Sequence, residues 1–168
     1  MRQSCLTGGV AGPAPRSARR CQNASMGKVT ARSSRELTAA PAQVMEFLRD
    51  YRARPKILTD NYSVYRVEQG GRGDGTVIGY HFAAGGRERD YRLRVQEAEG
   101  TLQEHDQLSS FASVWSVAGT GTGSKVTLEA SWDGAGGIPG IFEGLFAPMG
   151  LRRIYGQMLD KLAKTVGG

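Results

Sequence analysis

Two periods alternate along the chain. Lys28–Leu37, "KVTARSSREL", alternates weakly between apolar and polar positions and predicts a first strand. "PAQVMEFLRDY" changes the period: Val44, Phe47, Leu48 and Tyr51 recur at i, i+3, i+4 and i+7, one face of a helix. Pro41 suits the first turn of that helix, where its missing N–H costs nothing. Pro55 stops it and leaves room for a short second helix through Ile57 and Leu58. From Tyr62 the period becomes two. "YSVYRVEQ", "TVIGYHFAA", "RERDYRLRVQEAE", "TLQEHDQLSS", "FASVWSVAG" and "KVTLEASWDG" are strand-like runs separated by glycine-rich turns, and they predict an antiparallel meander.

Alternation is sharpest in two of these runs. Tyr91, Leu93 and Val95 share one face, while Asp90, Arg92, Arg94 and Gln96 share the other. Val126, Leu128, Ala130 and Trp132 likewise alternate with Thr127, Glu129 and Ser131. After "GAGG", Ile141, Phe142, Leu145 and Phe146 mark a short amphipathic piece, which Pro148 breaks or kinks. Leu151, Ile154, Tyr155, Met158, Leu159 and Leu162 then mark a last helix of about four turns. Lys161 and Lys164 suit the end of its dipole. The order predicts an α+β domain whose long sheet buries one face against the last helix.

Composition divides the chain unevenly. Residues 1–25 hold four arginines and no acid, and they lack periodicity. They cannot bury enough apolar surface to offset their ordering entropy, so residues 1–27 read as a disordered tail. A transit peptide and an upstream mis-set start, with Met26 as the alternative, stay open. Residues 28–168 form the domain. The chain beyond residue 25 carries 18 basic and 16 acidic residues, so it shows no nucleic-acid footprint. No apolar run reaches the length of a spanning helix. Both cysteines, Cys5 and Cys21, lie in the tail, which leaves the domain without disulfides or thiolate ligands and fits a cytoplasmic location.

"QGGRGDGTVIGYHF" invites three interpretations. A phosphate loop needs a helix after its glycines, and a strand-like run follows here. Arg72-Gly73-Asp74 as an adhesion tripeptide needs a secretion signal, which the sequence lacks. A hairpin remains, with Gly70, Gly71, Gly73 and Gly75 supplying positive φ. "EHD", Glu104 to Asp106, suggests a metal, but adjacent strand residues point to opposite faces, so no metal or other cofactor is expected. His81 is expected to face solvent, and Arg92 and Arg94 to form a solvated face. Arg89 is a candidate contact at the mouth of an interior site. No Gly-x-Ser-x-Gly elbow is present.

The inward set comprises Ile78, Tyr80, Phe82, Tyr91, Leu93, Val95, Trp115, Val117, Leu128, Ala130 and Trp132 from the strands. Phe142, Phe146, Met149, Tyr155 and Met158 are expected to close over them from the helices. From periodicity alone these residues fill a core as readily as they line a cavity.

The element order, with "AAPAQVMEFLRDY", "GGRGDGT", "SWDGAGG" and "LFAPMGLRRIYGQMLDKL", resembles the START-like (SRPBCC) superfamily over about residues 28–166. The resemblance is to its bacterial polyketide cyclase/dehydrase and lipid-transport branch. It implies a helix-grip fold, in which a curved seven-stranded antiparallel sheet wraps around a long C-terminal helix. It further implies an apolar cavity for a hydrophobic small molecule such as a lipid, isoprenoid or polyketide. The matching phrases are structural, so activity stays open. A cyclase or dehydratase would need an inward ionisable group, for which Glu104, Asp106, Tyr80 and Tyr91 are candidates. A module that docks on a protein partner is the third alternative.

Overall fold

The computed structural model describes residues 28–133 and 148–167. The elements run β1 (Lys28–Leu37), α1 (Pro41–Arg49), a 3-10 turn (Arg54–Lys56), β2 (Tyr62–Gln69), β3 (Val77–Ala84) and β4 (Arg87–Ala98). They continue with β5 (Thr101–Asp106), β6 (Ala112–Thr120), β7 (Gly123–Asp133) and α2 (Pro148–Val166). All seven strands form one antiparallel sheet in the order β1-β7-β6-β5-β4-β3-β2. From β2 to β7 each strand pairs with the next, and β1 closes on the last strand with Lys28 opposite Asp133 and Leu37 opposite Ser124.

The predicted periods account for the burial. Val126, Leu128, Ala130 and Trp132 of β7 are buried, as are Tyr91, Leu93 and Val95 of β4. Arg92 and Arg94 between them are exposed. On α2, Leu151, Ile154, Tyr155, Met158, Leu159 and Leu162 are buried against the sheet. Pro148 is the first residue of that helix, a position that tolerates its missing N–H. Phe142 and Phe146 lie outside the described residues. So does the tail before Lys28. The two ends of the inner face are tied down separately. Gln43 of α1 donates to the Val166 carbonyl at 2.9 Å, and Lys161 of α2 donates to the Leu58 carbonyl at 2.6 Å.

The glycine-rich loop is structural. Gly70, Gly71, Gly73 and Gly75 all have positive φ. At Gly71 (φ 120) the backbone conformation requires glycine, and the Arg52 guanidinium packs against the position an added Cβ would take. The loop stitches the end of α1 to the sheet: Tyr51 N–H donates to the Gly71 carbonyl and Gly73 N–H to the Arg49 carbonyl. Arg72 pairs with Glu46, and Asp74 accepts from the Glu97 N–H at 3.2 Å. The opposite edge strand, β2, is irregular. Its register shifts twice, and Val64 has φ 50, an uncommon conformation for a β-branched residue. Such bulges blunt an open sheet edge.

Candidate functional site

The interior is polar at one point and aromatic around it. Tyr51 follows α1, and Arg54 lies in the 3-10 turn. Glu104 comes from β5 and Ser113 from β6. The four meet beneath the sheet. Arg54 and Glu104 are 3 % and 6 % exposed. Glu104 Oε1 accepts from the Tyr51 hydroxyl at 3.0 Å and faces Arg54 Nη1 at 3.3 Å. Its Oε2 accepts from the Ser113 hydroxyl at 2.7 Å. Arg54 Nη2 donates to the Leu48 carbonyl at 2.8 Å. The guanidinium carbon lies 4.5 Å from the Tyr51 ring centre and 4.7 Å from that of Trp115. Tyr65 holds the turn from outside, donating to the Tyr51 carbonyl at 2.7 Å.

A buried ion pair survives only when desolvation is offset by geometry and further hydrogen bonds. Here the carboxylate has three donors, two of them neutral hydroxyls. Burial works against the Arg54 charge, but Glu104 and the nearby tyrosines outweigh it and raise its pKa above the usual value. Burial, then the charge of Glu104, pushes the Tyr51 phenol far above its ordinary range, so it stays a neutral donor.

Two small spaces lie in this interior, one of them against the cluster. The larger, about 30 Å³, is lined by Arg54, Glu104, Ser113 and Trp115, with Ile78, Leu128 and Met158 among its apolar walls. The smaller, about 10 Å³, lies toward Phe82, Tyr91 and Leu151. Tyr62, Tyr80, Phe111 and Tyr155 line both. These rings interlock: Tyr62 meets Tyr80 edge-on at 5.1 Å, and Tyr80 stacks on Tyr91 at 5.4 Å. Burial raises the Tyr62, Tyr80, Tyr91 and Tyr155 phenols above their ordinary range, leaving them neutral.

Among the described residues the interior holds less open space than the family resemblance implies. Among the described residues the interior has room for a water-sized group or two, because aromatic side chains occupy the concave face. Of the expected lining set, Ile78, Tyr80, Trp115, Leu128, Tyr155 and Met158 border the larger space, and Phe82 and Tyr91 the smaller. Leu93, Val95 and Trp132 are buried but border neither. Met149 is 77 % exposed, contrary to expectation. It sits two residues before the buried Leu151, roughly 200° around the helix, on the opposite face. Phe146 lies outside the described residues.

The remaining candidates resolve into fixed roles. Asp106 accepts from Arg89 Nη2 at 2.9 Å, the Ser109 hydroxyl at 2.5 Å and the Arg92 N–H at 3.1 Å, which pins the turn after β5. Arg89 also lies over the Tyr91 ring, 4.9 Å from its centre. His105 is exposed while Glu104 and Asp106 point inward. Among the described residues no three His, Cys, Asp or Glu side chains are placed to hold a metal. His81 is only partly exposed and bonds Asp90 at 2.9 Å, with Glu88 at 3.5 Å. Arg54 and Tyr51 were not among the expected site residues.

A curved seven-stranded antiparallel sheet gripping a C-terminal helix defines a helix-grip protein. The chain belongs to the polyketide cyclase/dehydrase and lipid transport family, whose model matches residues 28–167. It is similar to the KanY protein, known from an NMR solution structure, with 47% identity and a TM-score of 0.77 over 85% of this chain and 100% of that one. TTHA0849 from Thermus thermophilus is 19% identical, with a TM-score of 0.66 over 82% of this chain and 97% of its own. Major latex-like protein 151 from Panax ginseng is 12% identical, with a TM-score of 0.63 over 83% and 97%. These two likenesses concern the fold alone. Among curated proteins, no sequence match was found.

Proposed function

We propose that this protein binds a hydrophobic small molecule of the lipid, isoprenoid or polyketide kind between the sheet and α2. Family membership supports hydrophobic ligand binding in general. The observation that carries the finer statement is the pair of small spaces sharing the walls Tyr62, Tyr80, Phe111 and Tyr155. Binding requires those rings to turn so that the two spaces merge, and aromatic walls with polar tips suit an apolar guest. The absence of cysteine beyond residue 21 is consistent with a cytoplasmic site of action.

A cyclase or dehydratase needs an ionisable group within hydrogen-bond reach of its substrate. Glu104 is the inward carboxylate nearest the cavity, but its oxygens already take Tyr51, Ser113 and Arg54. Those three contacts favour binding over proton transfer. Native mass spectrometry of freshly purified protein, followed by titration with a fluorescent fatty acid and a polyaromatic probe, tests the proposal. A co-purified small molecule or saturable uptake of either probe is expected; the lack of all three rejects it.

A further inference from the structure

We propose that Arg54 Nε and Trp115 Nε1 form an oxygen-acceptor subsite, which takes a neutral carbonyl oxygen of a ring-containing hydrophobic ligand. The proposal rests on the hydrophobic-ligand reading and adds the polar group that such a ligand carries. Both terminal nitrogens of Arg54 are accounted for, by Glu104 at 3.3 Å and by the Leu48 carbonyl at 2.8 Å. Its Nε is buried and has no hydrogen-bond partner among the described residues. Trp115 Nε1 is buried in the same condition. Both side chains line the larger space, with the guanidinium carbon 4.7 Å from the Trp115 ring centre. The neighbouring acceptor, Glu104, already takes Tyr51, Ser113 and Arg54.

The site thus has two buried N–H donors without a partner among the described residues, Arg54 Nε and Trp115 Nε1. Buried N–H groups are nearly always paired, and leaving one unmet is costly. A guest that brings an acceptor oxygen relieves this, whereas a hydrocarbon of the same shape does not. A neutral oxygen fits better than a carboxylate, because Glu104 already balances the Arg54 charge and would repel a second anion. The rings of Tyr62, Tyr80, Phe111 and Tyr155 favour a flat guest.

The test compares 2-acetylnaphthalene with 2-ethylnaphthalene, which match in shape and differ in the carbonyl. Each is titrated calorimetrically into the full chain. The wild type is expected to bind the ketone about tenfold or more tighter. Trp115→Phe removes one donor together with part of the indole, so the readout is the ratio of ketone to hydrocarbon affinity, which should shrink whatever happens to the affinity for 2-ethylnaphthalene itself. Arg54→Met combined with Glu104→Gln removes the other donor without leaving a lone buried charge, and should shrink it too. Equal binding of both probes by the wild type overturns the subsite and leaves the hydrophobic reading standing. Binding of neither probe overturns the subsite together with ring binding, while fatty-acid uptake reports separately on the broader reading. A preference undiminished in Trp115→Phe overturns the assignment even if the double variant fails to fold.

Discussion

Strands β7 and β5 lie in one sheet with only β6 between them, and they alternate in the same way. Their buried sides carry different chemistry. β7 buries Val126, Leu128, Ala130 and Trp132, with the polar Ser124 at its start. β5 buries Leu102, then Glu104 and Asp106. Alternation determines which side chains turn inward, but what they meet is set elsewhere. From Val126 to Trp132 the inward β7 side chains need only shape from their neighbours, and Ser124 is met by the Ala39 carbonyl at 2.9 Å. Each β5 carboxylate needs a cation and further donors, and these come from other elements: Arg54 and Tyr51 for Glu104, Arg89 and Ser109 for Asp106. The polar half of the inner face is therefore assembled from distant parts of the chain and is the half that can read a ligand.

The largest effect should come from breaking the polar half. Glu104→Ala leaves Arg54 buried without its partner and should cost about 3–5 kcal/mol in urea unfolding. Arg54→Met with Glu104→Gln should recover more than half of that loss, since neither charge remains. On the apolar half, Leu128→Ala should cost about 2–5 kcal/mol through lost contacts and a cavity. No single partner change should restore it, and this contrast separates the two strands. If the double variant were as unstable as Glu104→Ala, packing rather than charge would govern the β5 side.

Leu93 sharpens the boundary between the halves. It is buried but borders neither interior space. Leu93→Trp should overpack and cost about 1–3 kcal/mol. Unchanged stability would show open volume at this position after all. The smallest effect lies outside the interior. Hydrogen bonding to Asp90, reinforced by Glu88, raises the His81 pKa above its usual ~6.5. Folding thus favours protonation, so the stabilisation is fully present below ~6.5 and is lost as pH rises through the raised folded value. The wild type should exceed His81→Asn in thermal midpoint at about pH 5.5, with the gap closing by about pH 8. A gap that widens with pH would reverse the assignment.

Much of the fold was legible because periodicity is a local signal. The apolar stripe from Leu151 to Leu162 and the alternation from Tyr91 to Val95 name their own buried faces. Even the "EHD" stretch gave the correct geometry, with Glu104 and Asp106 inward and His105 outward. The polar site was less legible. A 3-10 turn of three residues, Arg54–Lys56, has no period from which to infer that Arg54 points inward. Tyr51 showed its face as the last residue of a helical stripe, but its bond to Glu104 spans 53 residues. Cavity size depends on how the aromatic rings interlock, which no spacing encodes. A buried arginine near a Pro-containing turn is a signal only once an inward carboxylate is known to lie opposite it.

The central claim is that a hydrophobic guest enters the interior at the Arg54–Trp115 end. The chain has two tryptophans, Trp115 beside that space and Trp132 buried away from it. Their indole N–H signals in a ¹⁵N-resolved NMR titration with 2-acetylnaphthalene report on the two positions at once. The account predicts a saturable shift of the Trp115 signal with the Trp132 signal nearly still. A Trp115 signal that stays in place while the ketone binds, or a Trp132 signal that moves as far, would contradict it.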